Sequence, residues 1–98
     1  MISKVSYNDL ADEELSETVD YYERQKQGLG ISFLAEVERS AEIIQENPLA
    51  FPKIYRETRR KILQRFPYSI MYYVLPDKIR ILAVVNHKRN PFYWRERK

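Results

Sequence analysis

Cysteine is absent from all 98 residues, which excludes a disulfide scaffold, thiol catalysis and thiolate metal sites. Histidine occurs once, at His87, too seldom for a dedicated zinc site, and neither metal nor cofactor is expected. No apolar run reaches membrane-spanning length, and Met1-Ile2-Ser3-Lys4 is not the start of an apolar leader. These absences point to a soluble cytoplasmic protein with no membrane partner. There is no repeat, linker or low-complexity stretch, so residues 1–98 read as one domain. A chain of this size buries roughly 60–65% of its unfolded surface, which makes its core thin.

What is present is strongly polarised. Residues 1–49 carry 4 Lys/Arg against 11 Asp/Glu, a net of −7, whereas residues 50–98 carry 13 against 3, a net of +10. Thirteen cations in half of a small domain exceed ordinary surface needs, and such a field steers a polyanion or an acidic protein segment to one face.

The acidic half has helical periodicity. After a short β-prone segment at 2–7, Asn8 or Asp9 offers an N-cap, and Asp9, Asp12, Glu13 and Glu14 place negative charge where the helix dipole favours it. Ala11, Leu15, Val19 and Tyr22 form one apolar stripe on a helix running to about Gln27. Gly28-Leu29-Gly30 breaks it, and Phe33, Val37, Ala41 and Ile44 form the stripe of a second helix that ends at Asn47-Pro48. Two amphipathic helices joined by a glycine turn make an αα-hairpin with a shared apolar face.

The basic half has the period of strands. Ala50 to Tyr55 supports no more than an edge segment, because Pro52 interrupts it. Arg59–Phe66, Tyr68–Leu75 and Lys78–Asn86 read as a three-strand meander, the last two apolar on both faces and hence central, with the helices covering one side. The tail from Tyr93 either folds over the sheet or lies free. The fold class is α+β, in the order β-α-α-β-β-β, a helical hairpin packed on a mainly antiparallel sheet. The last strand turns abruptly from core into His87-Lys88-Arg89 and the aromatics Phe92, Tyr93 and Trp94, the kind of rigid strand end on which a site is often mounted.

Several pieces, in this order and spacing, carry a family likeness. They are Ala11…Glu14-Leu15, Tyr21-Tyr22-Glu23, Gly28-Leu29-Gly30…Phe33-Leu34, Ile44…Asn47-Pro48…Phe51-Pro52, Arg60…Arg65-Phe66-Pro67-Tyr68…Ile70…Tyr72…Val74, and Ile81-Leu82-Ala83-Val84…His87-Lys88-Arg89-Asn90-Pro91…Trp94. Over nearly its whole length the chain resembles the RelE/ParE superfamily of type II toxin–antitoxin toxins, which includes the ParE-like plasmid-stabilisation proteins. The resemblance implies a growth inhibitor neutralised by a cognate antitoxin that offers an acidic or amphipathic segment. It leaves two mechanisms open, because RelE-like members are ribosome-dependent messenger-RNA endonucleases and ParE-like members poison DNA gyrase.

Metal-independent RNA cleavage requires a base for the 2′-hydroxyl, cations at the phosphate and an acid for the leaving oxygen. His87 falls where the family's nuclease histidine belongs, and an ordinary imidazole, with a pKa of about 6.5, suits that work. The penultimate strand opens with Tyr68-Ser69 where the nucleases have arginine, and Lys88 follows His87 where they have an aromatic. Arg65 or Lys88 would have to supply the missing charge, and Glu57 the base. Otherwise His87 is a strand-end histidine bonded to backbone. Arg59, Arg60, Lys61 and Arg65 alternate along their strand and suit either phosphate or an acidic antitoxin; with Arg89, Tyr93 and Trp94 they form the candidate target-binding set. The missing arginine at Tyr68-Ser69 and the missing aromatic at Lys88 favour the gyrase reading over the ribonuclease.

Overall fold

A computed structural model describes residues 4–98. The chain runs β1 (Val5–Tyr7), α1 (Asp9–Gln25), α2 (Leu29–Glu46), β2 (Lys53–Tyr55), β3 (Thr58–Ile62), β4 (Tyr68–Val74) and β5 (Ile79–Asn86). Residues 2 and 3 of the expected first strand lie outside the described residues. Asn8 is the cap of α1, its side-chain oxygen accepting the Leu10 N–H at 2.8 Å, which satisfies one of the free donors of the first turn.

The joint between the helices explains two residues of the family likeness. Gly28 sits at φ +88°, a left-handed conformation that favours glycine. At Gly30 a Cβ would run into the Val19 carbonyl oxygen, so α1 and α2 cross in contact there. Glu23 of α1 accepts the N–H groups of Gly28 at 2.8 Å and Gly30 at 3.0 Å, and its negative charge lies at the positive end of the α2 dipole. A side chain from one helix thus caps the next.

The sheet has five strands in the order β1-β5-β4-β3-β2, with β1 parallel to β5 and the other neighbours antiparallel. The segment 50–55 supplies β2, a three-residue edge strand. Strand β3 ends at Ile62, four residues short of the expected Phe66. The cause is on α2: the Glu36 carboxylate takes the backbone N–H groups of Gln64 and Arg65, pulling that stretch out of the ladder.

Both faces of the sheet are covered, though by different means. On one side Phe33, Val37 and Ile44 of the hairpin meet Ile70, Tyr72, Ile79 and Ile81. Tyr22, Phe33, Phe66 and Tyr68 form an aromatic cluster there with ring centroids 5.0–6.2 Å apart. On the other side the C-terminal tail folds back and buries Trp94, 2% exposed, against Met71, Leu82, Ala83 and Val85. A bulge makes this second core possible. Met71 pairs with Ala83 and Tyr72 with Ile81, leaving Leu82 without a partner in β4; the extra residue turns both Leu82 and Ala83 to the outer side.

Candidate functional site

Beyond the Trp94 cluster the outer face stays open as a cleft of about 250 Å³. Alternation along the strands decides which cations reach it. Arg59 pairs with Tyr72, Arg60 with Met71 and Lys61 with Ile70, so Arg60 alone of the three stands on the outer face. Arg60 lines the cleft with Ser69, His87 and Arg89, while Ile54, Met71, Val85, Phe92 and Trp94 give it an apolar floor and wall.

His87 is held just past the end of β5 by its own N–H, which donates to the Pro67 carbonyl at 2.9 Å. Among the described residues its ring bonds a side chain and not backbone: Nε2 lies 2.7 Å from the hydroxyl of Ser69, a residue only 1% exposed. The hydroxyl of Ser69 is therefore the side-chain group placed to orient the His87 ring. The guanidinium of Arg60 is partly buried, and its sealed Nε has no hydrogen-bond partner among the described residues. Nor does it form an ion pair among them. Arg89 stacks over the Tyr93 ring at 4.0 Å. Among the described residues no carboxylate lines the cleft.

The remaining candidates lie elsewhere. Arg59 faces the helices and donates to the carbonyls of Leu49 at 3.1 Å and Phe51 at 2.7 Å. Lys61, on the same side, lies 5.3 Å over the Phe51 ring. Arg65 does not alternate with them, being beyond the end of β3, where its Nε pairs with Glu36 at 3.1 Å. Burial alone would raise the Glu36 carboxyl, but the Arg65 and Gln64 N–H groups and the Arg65 guanidinium outweigh it and hold the carboxyl below its usual range. Lys88 is exposed in the turn after β5, where its N–H donates to the Asn86 side chain. Glu57 pairs with Lys53 at 2.8 Å in the β2–β3 turn, away from His87, and that contact lowers its pKa. Of the histidine and its suggested helpers, only His87 lines the cleft.

Tyr93 points away from the cleft, toward α1, and closes a network that charge counting did not reveal. Its hydroxyl donates to Glu14, which also accepts Arg97 at 2.8 and 3.2 Å and the Val84 N–H at 3.1 Å. Arg97 donates to the Leu82 carbonyl at 3.1 Å as well. β1 stops at Tyr7, opposite Ile81, so beyond that point Glu14 and Arg97 satisfy the bare edge of β5. Burial first, then the hydrogen bond to Glu14 and its charge, push the Tyr93 phenol well above its usual range against the opposing pull of Arg89 and Arg97. The position of Glu14 on α1 gave no signal of this, because its partners lie 70 to 83 residues away.

Among the described residues no group of three or more His, Cys, Asp or Glu side chains is placed to hold a metal ion, and no helix is long and apolar enough to cross a membrane. A helical hairpin thus covers one face of a five-stranded sheet, and a cleft lined by Arg60, His87 and Arg89 opens on the other. The chain belongs to the family described as the ParE toxin of the type II toxin–antitoxin system, parDE, whose model matches residues 5–91. A solved structure described as a chromosomal ParDE toxin–antitoxin system from P. aeruginosa is similar in fold. It superimposes with a TM-score of 0.75 at 17% identity, over 87% of this chain and 96% of that one. No curated protein matches the sequence.

Proposed function

We propose that this toxin inhibits growth by gripping DNA gyrase with its basic C-terminal face, and that it does not cleave RNA. The observation that carries this reading is the engagement of His87 by Ser69 at 2.7 Å, in a strand that opens with Tyr68-Ser69 and not with the arginine that the resemblance to the nucleases calls for. Neither Arg65 nor Lys88 makes up the loss, since one is clamped to Glu36 and the other stands outside the cleft. Membership of the ParE family adds support, and the absence of a membrane-spanning helix among the described residues accords with action inside the cell.

One observation favours the alternative, a metal-independent endoribonuclease working with the ribosome: Arg60 and Arg89 share the cleft with His87 and would serve as its cations. His87→Ala separates the two. Loss of a general acid or base costs about 10²–10⁴-fold in rate, so on the alternative the variant lets cells grow. On the gyrase reading, growth inhibition by induced His87→Ala stays close to that of the parent chain. A folded but harmless variant would refute it.

A further inference from the structure

Ser69 and His87 form a pair whose chemistry the gyrase reading leaves unused. A serine hydroxyl is a weak nucleophile alone, and it is activated when an adjacent imidazole nitrogen can take its proton. The geometry this requires is a hydrogen bond of about 2.6–3.2 Å between the two groups. Here Ser69 Oγ and His87 Nε2 are 2.7 Å apart. With Nε2 unprotonated the hydroxyl donates to it, and the proton lies on the path of its transfer. Both residues stand on rigid mounts. Ser69 is held within β4, paired with Ile62 on one side and Val85 on the other, and the His87 N–H is tied to the Pro67 carbonyl at 2.9 Å.

The surroundings bear on which electrophile. Ser69 is 1% exposed, and the open space it meets is the cleft that it lines, about 250 Å³ in volume. That is room for a small group, and Met71, Val85 and Trp94 offer it apolar surface. Arg60 and Arg89 line the same space and place positive charge where an attacked carbonyl would develop an oxyanion. Among the described residues no carboxylate lines the cleft, so none stands there to stabilise the imidazolium that forms on His87. This restricts the pair to donors whose leaving group departs readily. We propose that Ser69, activated by His87, is a nucleophile that accepts a short acyl group from an activated ester or thioester. Oγ forms a bond to the acyl carbon, and the bond from that carbon to the leaving oxygen or sulfur breaks. The proton passes from Ser69 to His87 Nε2 and on to the leaving group. Water, deprotonated by the same imidazole, then releases the acid slowly and restores the hydroxyl. The proposal is independent of whether gyrase or the ribosome is the target.

The probe is p-nitrophenyl acetate, whose leaving group is coloured. The purified chain is mixed with an excess of it, p-nitrophenolate release is followed in time, and the acetylated residues are located by peptide mass spectrometry. The expected record is a burst approaching one p-nitrophenolate per chain, with the acetyl group on Ser69. Ser69→Ala should abolish the burst with unchanged circular dichroism, and His87→Ala should slow it about 10²-fold or more, the scale of a lost general base. Should either variant fail to fold, the position of the acetyl group in the unaltered chain decides. Absence of a burst would overturn the proposal, as would acetyl groups confined to lysines, tyrosines or His87 itself. So would a burst that persists in Ser69→Ala, or a His87→Ala rate equal to that of the parent chain. None of these outcomes depends on gyrase inhibition, so the target assignment stands or falls separately.

Discussion

Gly30 and Glu23 are adjacent parts of one joint, and each should fail in its own way. Gly30→Ala drives a methyl into the Val19 carbonyl and the Glu23 side chain, so it should destabilise by about 1–3 kcal/mol through overpacking, despite the higher helix propensity of alanine. Glu23→Ala leaves the Gly28 and Gly30 N–H groups uncapped and should cost about 1 kcal/mol, the usual scale for a lost cap. Urea unfolding followed by circular dichroism checks both. Trp94 is the residue whose role changes most between sequence and structure. Read from the sequence it belongs with the target-binding set, yet at 2% exposed it is a core side chain. Trp94→Ala should therefore lower stability by about 3–5 kcal/mol, and a loss of toxicity in that variant would say nothing about target contact. The sequence offered no way to tell an anchor from a core residue, because the tail has no periodicity and its partners, Met71 and Leu82, acquire their outer-face position from register and a bulge.

At the scale of elements, periodicity was informative wherever one face alone decided the pattern. The stripes of α1 and α2, the glycine break, and the near-continuous apolar runs of β4 and β5 are all where spacing placed them. Pairing was not legible: nothing in Val5-Ser6-Tyr7 announces a parallel partner in β5. β3 was overextended, because a strand pattern does not reveal a carboxylate on a helix that competes for its N–H groups. The same contact makes Glu36 pH-sensitive. Its folded pKa is lowered, so its contribution to stability is present above the ordinary glutamate pKa and is lost as pH falls through the folded value. Glu36→Gln should remove that part of the acid-side stability loss, read as a flatter dependence of Tm on pH below about 5, near the usual carboxylate range. The tyrosines act on the other limb. Burial raises Tyr72 to about 12, and burial with Glu14 raises Tyr93 further. Stability from a raised phenol is complete below its ordinary pKa and is lost as pH climbs through the folded one. Melting temperature should thus fall above about pH 10, where an unfolded tyrosine ionises. Glu14→Gln should bring the Tyr93 titration, measured by ultraviolet absorbance, back down toward the usual range; an unmoved titration would show that burial alone sets it.

For the molecule as a whole, the division into an acidic first half and a basic second half is only partly kept between surfaces, because Arg59 and Lys61 face the helices and Arg65 and Arg97 pair with Glu36 and Glu14. The helices carry most of the acid, while Arg60 and Arg89 collect on the far face of the sheet around His87. That face was only partly legible: His87, Arg60 and Arg89 are named from the sequence, but Ser69 appears there only with Tyr68 as a strand opening that lacks an arginine, and its hydrogen bond to His87 depends on the register of β4 and β5. The central claim is that this face stops gyrase and leaves RNA intact. It is tested most directly with the purified chain in parallel reactions, one containing gyrase, ATP and relaxed plasmid, the other ribosomes translating a defined messenger. The account predicts that supercoiling is inhibited in proportion to added toxin while the messenger remains full length. Unimpaired supercoiling beside a cleaved messenger would contradict it.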